Sequence, residues 1–213
     1  MNLVFPRLYA IIDPTLLTIS ELELAETLAG SGVELVQYRN KTGSSRQFFD
    51  VSRQLSTALA PLGVRLIVND RPDIALLAGA GGVHVGQEDL SVEDARAVCG
   101  ADRWVGVSTH TFEQLAAADR TSADYIAFGP IFTTATKKNP DPVVGTELLR
   151  KARLLTKKPL VAIGGITLER AAEVYRAGAD SLAVIRDLTC VPNPGVRARE
   201  YLEVAASALA RPA

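Results

Sequence analysis

The sequence contains only two cysteines, Cys99 and Cys190, which lie far apart and lack the spacing of metal ligands. Two distant thiols exclude a disulfide framework and fit a reducing compartment, so we expect a cytoplasmic protein. The chain also lacks an excess of either charge, with a formal net charge of −1 and scattered Lys and Arg residues. Because there is no basic stripe, the sequence predicts no nucleic-acid partner, and the anions it binds should be small ligands.

The start of the chain lacks the features of a membrane-targeting segment. The first residues, MNLVFPRLYAIIDP, hold one Arg and a short apolar run that Asp13 and Pro14 interrupt. This pattern is typical of neither a signal peptide nor a membrane-spanning helix, so we expect no membrane partner. No composition break divides the chain, which favours a single domain over residues 1–213.

The sequence does contain a regular alternation of short apolar runs with helix-like segments. The predicted strands are Leu8 to Ile12, Glu34 to Tyr38, Val64 to Val68, Gly82 to Val85, Trp104 to Val107, Asp124 to Phe128, Leu160 to Ile163 and Ser181 to Ile185. This alternation predicts the α/β class and a single (β/α)8 TIM barrel. A doubly wound open sheet is the alternative, but such sheets more often carry a glycine-rich turn where this chain has Asp-Pro-Thr. Residues 129–145 form the longest irregular stretch and predict a functional loop, such as a lid.

Two acidic residues, Asp70 and Asp89, follow consecutive predicted strands. Parallel strands place their carboxyl ends on one rim, so these carboxylates should be neighbours. Mg²⁺ favours one or two carboxylates together with substrate phosphate and water, which makes the pair a candidate magnesium site. Capping of the next helix explains Asp70 equally well. Ser91 and Asp94 already cap the helix after Asp89, so Asp89 has no evident structural role.

Other polar residues follow the remaining strands on the same predicted rim. Strand alternation sends Gln37, Arg39 and Lys41 to one side, and the two cations suit phosphate oxygens. His84 lies inside an apolar strand, and we interpret it as a hydrogen-bonded core histidine rather than a ligand. Ser108, Thr134, Thr136 and Lys137 follow the fifth and sixth strands and resemble anion ligands.

The seventh strand ends in Gly164 and Gly165 at a helix start, and the eighth ends before Arg186. Glycines let the backbone approach a ligand, and a helix amino terminus directs N–H groups at an anion. Many barrels build a phosphate site from these two loops. The rim therefore offers a cationic, metal-assisted site suited to a diphosphate and a neutral backbone site suited to a monophosphate.

The motifs at the strand ends resemble those of the thiamine-phosphate synthase family. In chain order they are QYRNK, VNDRPDIA, GVHVGQEDL, GVSTH, FGPIFTTATKK, AIGGIT and GADSLAVI. The resemblance spans Leu8 to about Leu188. It implies a transferase of thiamine biosynthesis that joins hydroxymethylpyrimidine diphosphate to a thiazole monophosphate and releases pyrophosphate. The resemblance also suggests a homodimer.

The resemblance implies roles for individual residues. The pyrimidine diphosphate would contact Gln37, Tyr38, Arg39, Asn40, Lys41, Asn69, Ser108 and Lys137. The thiazole phosphate would contact Thr134, Ala135, Thr136, Gly165, Ile185 and Arg186. Asp70 and Asp89 would bind Mg²⁺, while Arg39, Lys41 and Lys137 would stabilise the departing diphosphate.

The sequence departs from the family pattern at two positions and leaves two other functions open. Thr133 stands where a proline is usual, and Arg186 stands where a serine is usual; we predict that backbone N–H contacts keep phosphate binding at Arg186. One alternative is a thiazole tautomerase of similar fold, which uses a histidine at the position of His110 and lacks the metal site. The other is a non-catalytic barrel that binds thiazole phosphate. Because Asp89 and its neighbours remain, we favour the transferase.

Overall fold

The computed structural model describes residues 5–134 and 141–210, and these residues form a closed barrel of parallel strands. Each strand pairs with the next in chain order, and the eighth pairs with the first. The strands are β1 Leu8–Ile12, β2 Leu35–Tyr38, β3 Arg65–Asn69, β4 Gly82–Val85, β5 Trp104–Thr109, β6 Tyr125–Phe128, β7 Leu160–Ile163 and β8 Ser181–Val184. The predicted (β/α)8 barrel is confirmed.

Helices connect the strands and cover the outside of the barrel. They are α1 Glu21–Ala29, α2 Ser45–Leu59, α3 Pro72–Leu77, α4 Val92–Cys99, α5 Phe112–Asp119, α6 Gly145–Arg153, α7 Leu168–Arg176, α8 Arg186–Thr189 and α9 Pro194–Leu209. The side chains of Ser20, Ser91 and Thr111 accept backbone N–H groups and cap α1, α4 and α5, which confirms the cap predicted at Ser91. Of the helices in the described ranges, none is both long and apolar enough to cross a membrane.

The alternation of side chains along each strand divides the apolar residues into two cores. On β1, Leu8, Ala10 and Ile12 belong to the larger core, which also contains the buried faces of the helices. Tyr9 and Ile11 belong to a smaller core inside the barrel. Because successive side chains of a strand point to opposite faces, one short strand serves both cores.

Two strands end later than their apolar runs predict, and both differences bring polar residues into the sheet. β5 extends through Ser108 and Thr109, which pair in register with Ala127 and Phe128 of β6. The Thr109 hydroxyl donates to the carbonyl oxygen of Ala127 at 2.9 Å, which satisfies this buried polar group. β3 likewise includes Asn69. Backbone pairing with a neighbouring strand, rather than side-chain polarity, decides where these strands end.

Candidate active site

A cavity of about 720 Å³ opens at the carboxyl ends of the strands, the end of a (β/α)8 barrel that carries active sites. All eight strands, or the loops that follow them, contribute residues to its lining. Its floor combines the apolar side chains Ile11 and Ala127 with the polar side chains Gln37, Asn69 and Ser108. A mostly apolar wall with a few directed polar groups is typical of a small-molecule site.

A second cavity of about 310 Å³ lies on the same rim. Its lining includes Lys41, Asp70 and Asp89, which we call the carboxylate corner. Asn69 lines both cavities, so the carboxylate corner adjoins the large cavity. The predicted proximity of Asp70 and Asp89 is therefore observed.

Asp70 has an unusual backbone conformation for a residue other than glycine. Its φ is +62°, in the left-handed region, and its backbone N–H donates to the carbonyl oxygen of His84 at 2.8 Å. The residue that precedes α3 is Arg71, so the interpretation of Asp70 as a helix cap is wrong. The left-handed turn instead directs the Asp70 carboxylate into the small cavity. A strained conformation of this kind is typical of functional positions.

The two carboxylates and the lysine of the carboxylate corner interact directly. Lys41 Nζ donates to the Asp70 carboxylate. Burial raises the pKa of Asp70, the neighbouring Asp89 carboxylate raises it further, and Lys41 opposes both effects. Asp89 Oδ2 also accepts the backbone N–H of Gly86 at 2.7 Å. Asp89 therefore closes its own turn, and the expectation that it has no structural role is wrong.

The carboxylate corner fits a divalent cation such as Mg²⁺. The described residues contain no cluster of three or more His, Cys, Asp and Glu side chains that could enclose a metal. An enclosing cluster is not required for Mg²⁺, which usually keeps several waters and binds one or two carboxylates together with substrate phosphates. Asp70 and Asp89 provide two hard oxygen ligands whose mutual repulsion a cation would relieve.

The polar residues Gln37, Arg39 and Lys41 at the end of β2 separate into two environments. Gln37 and Arg39 line the large cavity, and Arg39 is paired with Asp13 at 2.5 Å. Lys41 lies in the small cavity, so the prediction that it shares a side with Gln37 and Arg39 is wrong. The reason is that β2 ends at Tyr38, and strand alternation does not continue into the loop.

Two of the residues predicted to bind the pyrimidine diphosphate have structural roles here. The Tyr38 side chain is fully buried and packs edge-on against Phe48 of α2, and it belongs to neither cavity lining. Asn40 lines the small cavity, and its Oδ1 accepts the backbone N–H groups of Thr42 and Gly43. Asn40 therefore holds the loop that carries Lys41.

The loops after β7 and β8 form the opposite side of the large cavity. We call Gly164, Gly165, Ile185 and Arg186 the glycine corner; all four line this cavity. The φ angles of Gly164 and Gly165 are +101° and +62°. A Cβ atom on Gly165 would lie 2.3 Å from the carbonyl oxygen of Thr133, so only glycine fits against the loop after β6.

The glycine corner is held by the partly buried carboxylate of Asp187, which also lines the large cavity. Asp187 Oδ2 accepts the backbone N–H of Leu168, the first residue of α7, at 3.0 Å and the Tyr201 hydroxyl at 2.7 Å. The carboxylate thus ties the start of α7 to α8 and fixes the two loops relative to each other. Burial and the Asp187 carboxylate raise the pKa of Tyr201, so its hydroxyl stays protonated.

The remaining predicted thiazole-phosphate contacts, and Lys137 predicted for the pyrimidine diphosphate, follow β6 in the sequence. Thr134 lines the large cavity. Ala135, Thr136 and Lys137 lie outside the described residues.

Two residues that surround the large cavity were missed in the sequence. Tyr9 lines it, as does Arg170, whose guanidinium lies 4.5 Å from the centre of the Phe132 ring. The alternation along β1 could have identified Tyr9, because Leu8, Ala10 and Ile12 form the opposite, wholly apolar face. Arg170 gives no such signal, since a charged residue in the first turn of a helix is ordinary.

His84 is buried and hydrogen-bonded, as its position inside an apolar strand predicts, and it also lines the large cavity. Its Nδ1 lies 3.0 Å from the Tyr125 hydroxyl, and its Nε2 lies 2.9 Å from Ser108 Oγ. His110 is placed differently, with Nδ1 donating to the carbonyl oxygen of Gly129 at 2.6 Å and Nε2 lying 3.4 Å from Asp141.

Comparison with known proteins agrees with this geometry. Residues 8–188 match the family model described as thiamine monophosphate synthase. A thiamine-phosphate synthase of Koribacter versatilis (strain Ellin345) is 52% identical over 210 residues, which cover 95% of this chain and 97% of that relative. One from Syntrophomonas wolfei is 41% identical over 92% of this chain and 95% of the relative. The structure of thiamine phosphate pyrophosphorylase from Pyrococcus furiosus superposes with a TM-score of 0.87 and 29% identity, covering 96% of this chain and 97% of that one.

Proposed function

This chain belongs to the thiamine-phosphate synthase family, and we propose that it joins 4-amino-2-methyl-5-hydroxymethylpyrimidine diphosphate to a thiazole monophosphate, releasing pyrophosphate. One observation carries the assignment to this site. A corner of charged side chains and a corner of glycine backbone lie on one rim in adjoining cavities, and Asn69 lines both cavities. The reaction likewise requires two separate binding sites, one for a diphosphate and one for a monophosphate.

The diphosphate lies at the carboxylate corner in this proposal. Arg39 and Lys41 supply positive charge, and Lys137 would add to it from the loop after β6. Asp70 and Asp89 would hold Mg²⁺, which when bound neutralises charge on diphosphate oxygens. Arg39 is oriented by its pair with Asp13, and Lys41 by its pair with Asp70. Each cation is therefore positioned before the ligand arrives, which reduces the cost of ordering it.

The thiazole phosphate lies at the glycine corner. Gly164 and Gly165 allow close backbone approach, and the exposed cations Arg170 and Arg186 line the same part of the cavity. Backbone N–H groups and nearby arginines suit the oxygens of a monophosphate. The Thr134 to Thr136 segment would contribute further contacts.

The chemical step breaks one bond and forms one. The bond between the pyrimidine methylene carbon and the diphosphate oxygen breaks, and its electron pair leaves with the diphosphate. The thiazole nitrogen then uses its lone pair to form the new carbon–nitrogen bond and becomes quaternary. No proton is removed, so the step needs no strong general base. The protein stabilises the charge that develops on the leaving diphosphate through Arg39, Lys41 and Lys137.

The cavity wall also protects the electron-deficient methylene carbon. Ile11, Ala127, Ile163 and Ala183 are apolar side chains of four different strands that line the large cavity. An apolar wall limits the number of waters that can reach the carbon before the thiazole nitrogen does.

The proposed function is tested by mixing the purified protein with both substrates and Mg²⁺ and measuring pyrophosphate and thiamine monophosphate. We expect both products in equal amounts and neither when one substrate is omitted. A thiazole tautomerase or a non-catalytic binding barrel would release no pyrophosphate. Pyrophosphate without thiamine monophosphate would instead indicate hydrolysis and would contradict the transferase assignment.

The family resemblance also supports a homodimer as the assembled form. Sedimentation velocity over a range of protein concentrations tests this proposal, because a homodimer of the 22.7 kDa chain sediments at twice the monomer mass. A monomeric species that retains full activity would overturn it.

A further inference from the structure

A continuous chain of hydrogen bonds, buried except at its Ser108 end, runs along the floor of the large cavity. Gln37 Nε2 donates to the Tyr9 hydroxyl at 2.7 Å, and the Tyr9 and Tyr125 hydroxyls lie 2.8 Å apart. Tyr125 then contacts His84 Nδ1 at 3.0 Å, and His84 Nε2 contacts Ser108 Oγ at 2.9 Å. The chain therefore runs from one cavity-lining side chain, Gln37, to another, Ser108, through groups inside the barrel.

Each hydroxyl in this chain has one proton, and this determines the direction of the hydrogen bonds. Tyr9 accepts from Gln37, so its own proton goes to Tyr125, the second partner of its hydroxyl among the described residues. Tyr125 has accepted one hydrogen bond and donates its proton to His84 Nδ1. With the amide nitrogen of Gln37 facing Tyr9, any other order leaves a tyrosine proton without an acceptor in the core.

Both tyrosines keep their protons, so the chain does not break by ionisation. Tyr9 is 1% exposed and Tyr125 is 0% exposed. Burial raises the pKa of each phenol above its usual value of 10.0, because a buried phenolate would lack water. Neither phenol therefore loses, near neutral pH, the proton that its hydrogen bond donates.

We propose that Tyr9 and Tyr125 are positioning residues that hold His84 as the Nε2–H tautomer, and that His84 thereby directs the hydroxyl proton of Ser108 into the cavity. When His84 Nε2–H donates to Ser108 Oγ, the serine proton remains for the ligand. Ser108 then presents a hydrogen-bond donor to an acceptor atom of the pyrimidine diphosphate. This inference rests on the proposed function, because it identifies that ligand as the substrate that Ser108 meets.

The opposite direction has different consequences. If the amide of Gln37 presented its oxygen to Tyr9, every hydrogen bond would reverse, and His84 would carry its proton on Nδ1. Ser108 would then donate to His84 Nε2 and offer only lone pairs to the ligand. The tautomer of His84 therefore distinguishes a donor serine from an acceptor serine.

The first test reads this tautomer directly in the wild-type protein. The polypeptide contains two histidines, and a His110→Asn variant assigns the two sets of imidazole resonances. In ¹⁵N-labelled protein we expect His84 Nε2 to show the resonance of a protonated ring nitrogen and Nδ1 that of an unprotonated one. The reverse pattern, or rapid exchange between the two tautomers, would overturn the proposal. Because the measurement needs no substrate, it is independent of whether the protein releases pyrophosphate.

The second test removes one hydroxyl group, that of Tyr125, from the hydrogen-bond chain. Tyr125→Phe keeps the ring and takes away the donor to His84, so we expect kcat/KM for the pyrimidine diphosphate to fall about tenfold, the effect of one misdirected hydrogen bond. The KM for the thiazole phosphate should not change. The His84 resonances should shift toward a mixture of tautomers.

Tyr175→Phe is the matched control for this variant. Its hydroxyl is also buried and donates to the carbonyl oxygen of Arg7 at 2.8 Å, outside the cavity. We expect a similar loss of thermal stability with wild-type kinetics and wild-type His84 resonances. Equal kinetic effects of the two variants, or an unchanged tautomer in Tyr125→Phe, would reduce Tyr125 to a packing role and overturn the proposal. Absence of pyrophosphate release by the wild type would instead contradict the proposed function.

Discussion

The carboxylate corner and the glycine corner lie on the same rim but are built from different groups. In the carboxylate corner, the Asp70 side chain interacts with both Lys41 and Asp89, so it is attracted by one charge and repelled by the other. In the glycine corner, the essential feature is the absence of side chains, since a Cβ atom on Gly165 would collide with the backbone of Thr133. Electrostatic interactions define the carboxylate corner, whereas steric fit defines the glycine corner.

This difference determines how each corner should respond to change. A charged corner responds to pH, to ionic strength and to loss of a cation, because its energies are electrostatic. A corner formed by backbone at positive φ responds to any added side chain and hardly to pH, because sterics set its conformation. Perturbations that affect one corner should therefore leave substrate binding at the other unchanged.

The largest effect is expected for Asp89→Asn in the carboxylate corner. Asparagine keeps an oxygen that can accept the Gly86 N–H, so the turn should survive while one anionic metal ligand is lost. We expect turnover to fall at least about a hundredfold, comparable to removal of one group that stabilises transition-state charge. Steady-state kinetics over a range of Mg²⁺ concentrations measure the effect. Asp73→Asn, which removes an exposed carboxylate paired with Arg71, serves as the control.

Full turnover of Asp89→Asn at low Mg²⁺ would remove Asp89 from the metal site. A change in the KM for the thiazole phosphate would also contradict the separation of the two corners.

Gly165→Ala should produce the largest effect in the glycine corner. The added Cβ meets the Thr133 carbonyl oxygen at 2.3 Å, so a loop must move and the phosphate contacts change. We expect the KM for the thiazole phosphate to rise about tenfold or more, since a tenfold change corresponds to about 1.4 kcal/mol. The KM for the pyrimidine diphosphate should change little.

Gly63→Ala is the control for Gly165→Ala, because it introduces the same backbone strain without a steric collision of the added Cβ atom. Gly63 has a similar φ of +72°, but no atom lies within 4 Å of its added Cβ. We expect Gly63→Ala to lower the free energy of unfolding by about 1–2 kcal/mol, the cost of a left-handed residue, with normal kinetics. If Gly165→Ala behaved in the same way, shape would not explain the glycine corner.

A pH experiment tests the electrostatic origin of the carboxylate corner. The pKa of Asp70 is raised, so its carboxylate gains a proton and weakens metal binding as pH falls through that raised value. Lys41→Met removes the group that opposes this rise, so the loss of Mg²⁺ affinity should begin at higher pH than in the wild type. Titration of Mg²⁺ affinity against pH measures the shift.

Arg71→Met is the control for Lys41→Met. Arg71 lines the same small cavity, but its guanidinium pairs with Asp73 rather than with Asp70. In Arg71→Met, the fall in Mg²⁺ affinity on acidification should occur at the same pH as in the wild type. If Mg²⁺ affinity fell at the same pH in the wild type and in Lys41→Met, Lys41 would not lower the pKa of Asp70.

The smallest effect is expected for Arg186→Ser at the glycine corner. Arg186 is exposed and follows a residue whose backbone already lines the cavity, so its charge should add at most about 1 kcal/mol to phosphate binding. We expect the affinity for the thiazole phosphate to fall by less than about fivefold, and less at high salt. Isothermal titration at two salt concentrations measures both. Much tighter binding by Arg186→Ser would show that the serine hydroxyl matters and that the arginine impairs the site.

Much of the carboxylate corner could be predicted from the sequence, because its features are local. Asp70 and Asp89 each follow an apolar run, and parallel connectivity places consecutive strand ends together. The position of Lys41 could not be predicted, since it depends on where β2 stops pairing with β3. The left-handed turn at Asp70 was also missed, because aspartate more often caps a helix from an extended conformation.

The sequence by itself determined the fold class, the order of the strands and several of the loops that line the cavity. These follow from apolar periodicity and from residue types, which are properties of single segments. Only the tertiary structure decided that Gly165 faces the Thr133 carbonyl and that Tyr9, Tyr125 and His84 form one hydrogen-bonded chain. These contacts join residues on different strands, and their distances depend on the closure of the barrel and the register of its strands.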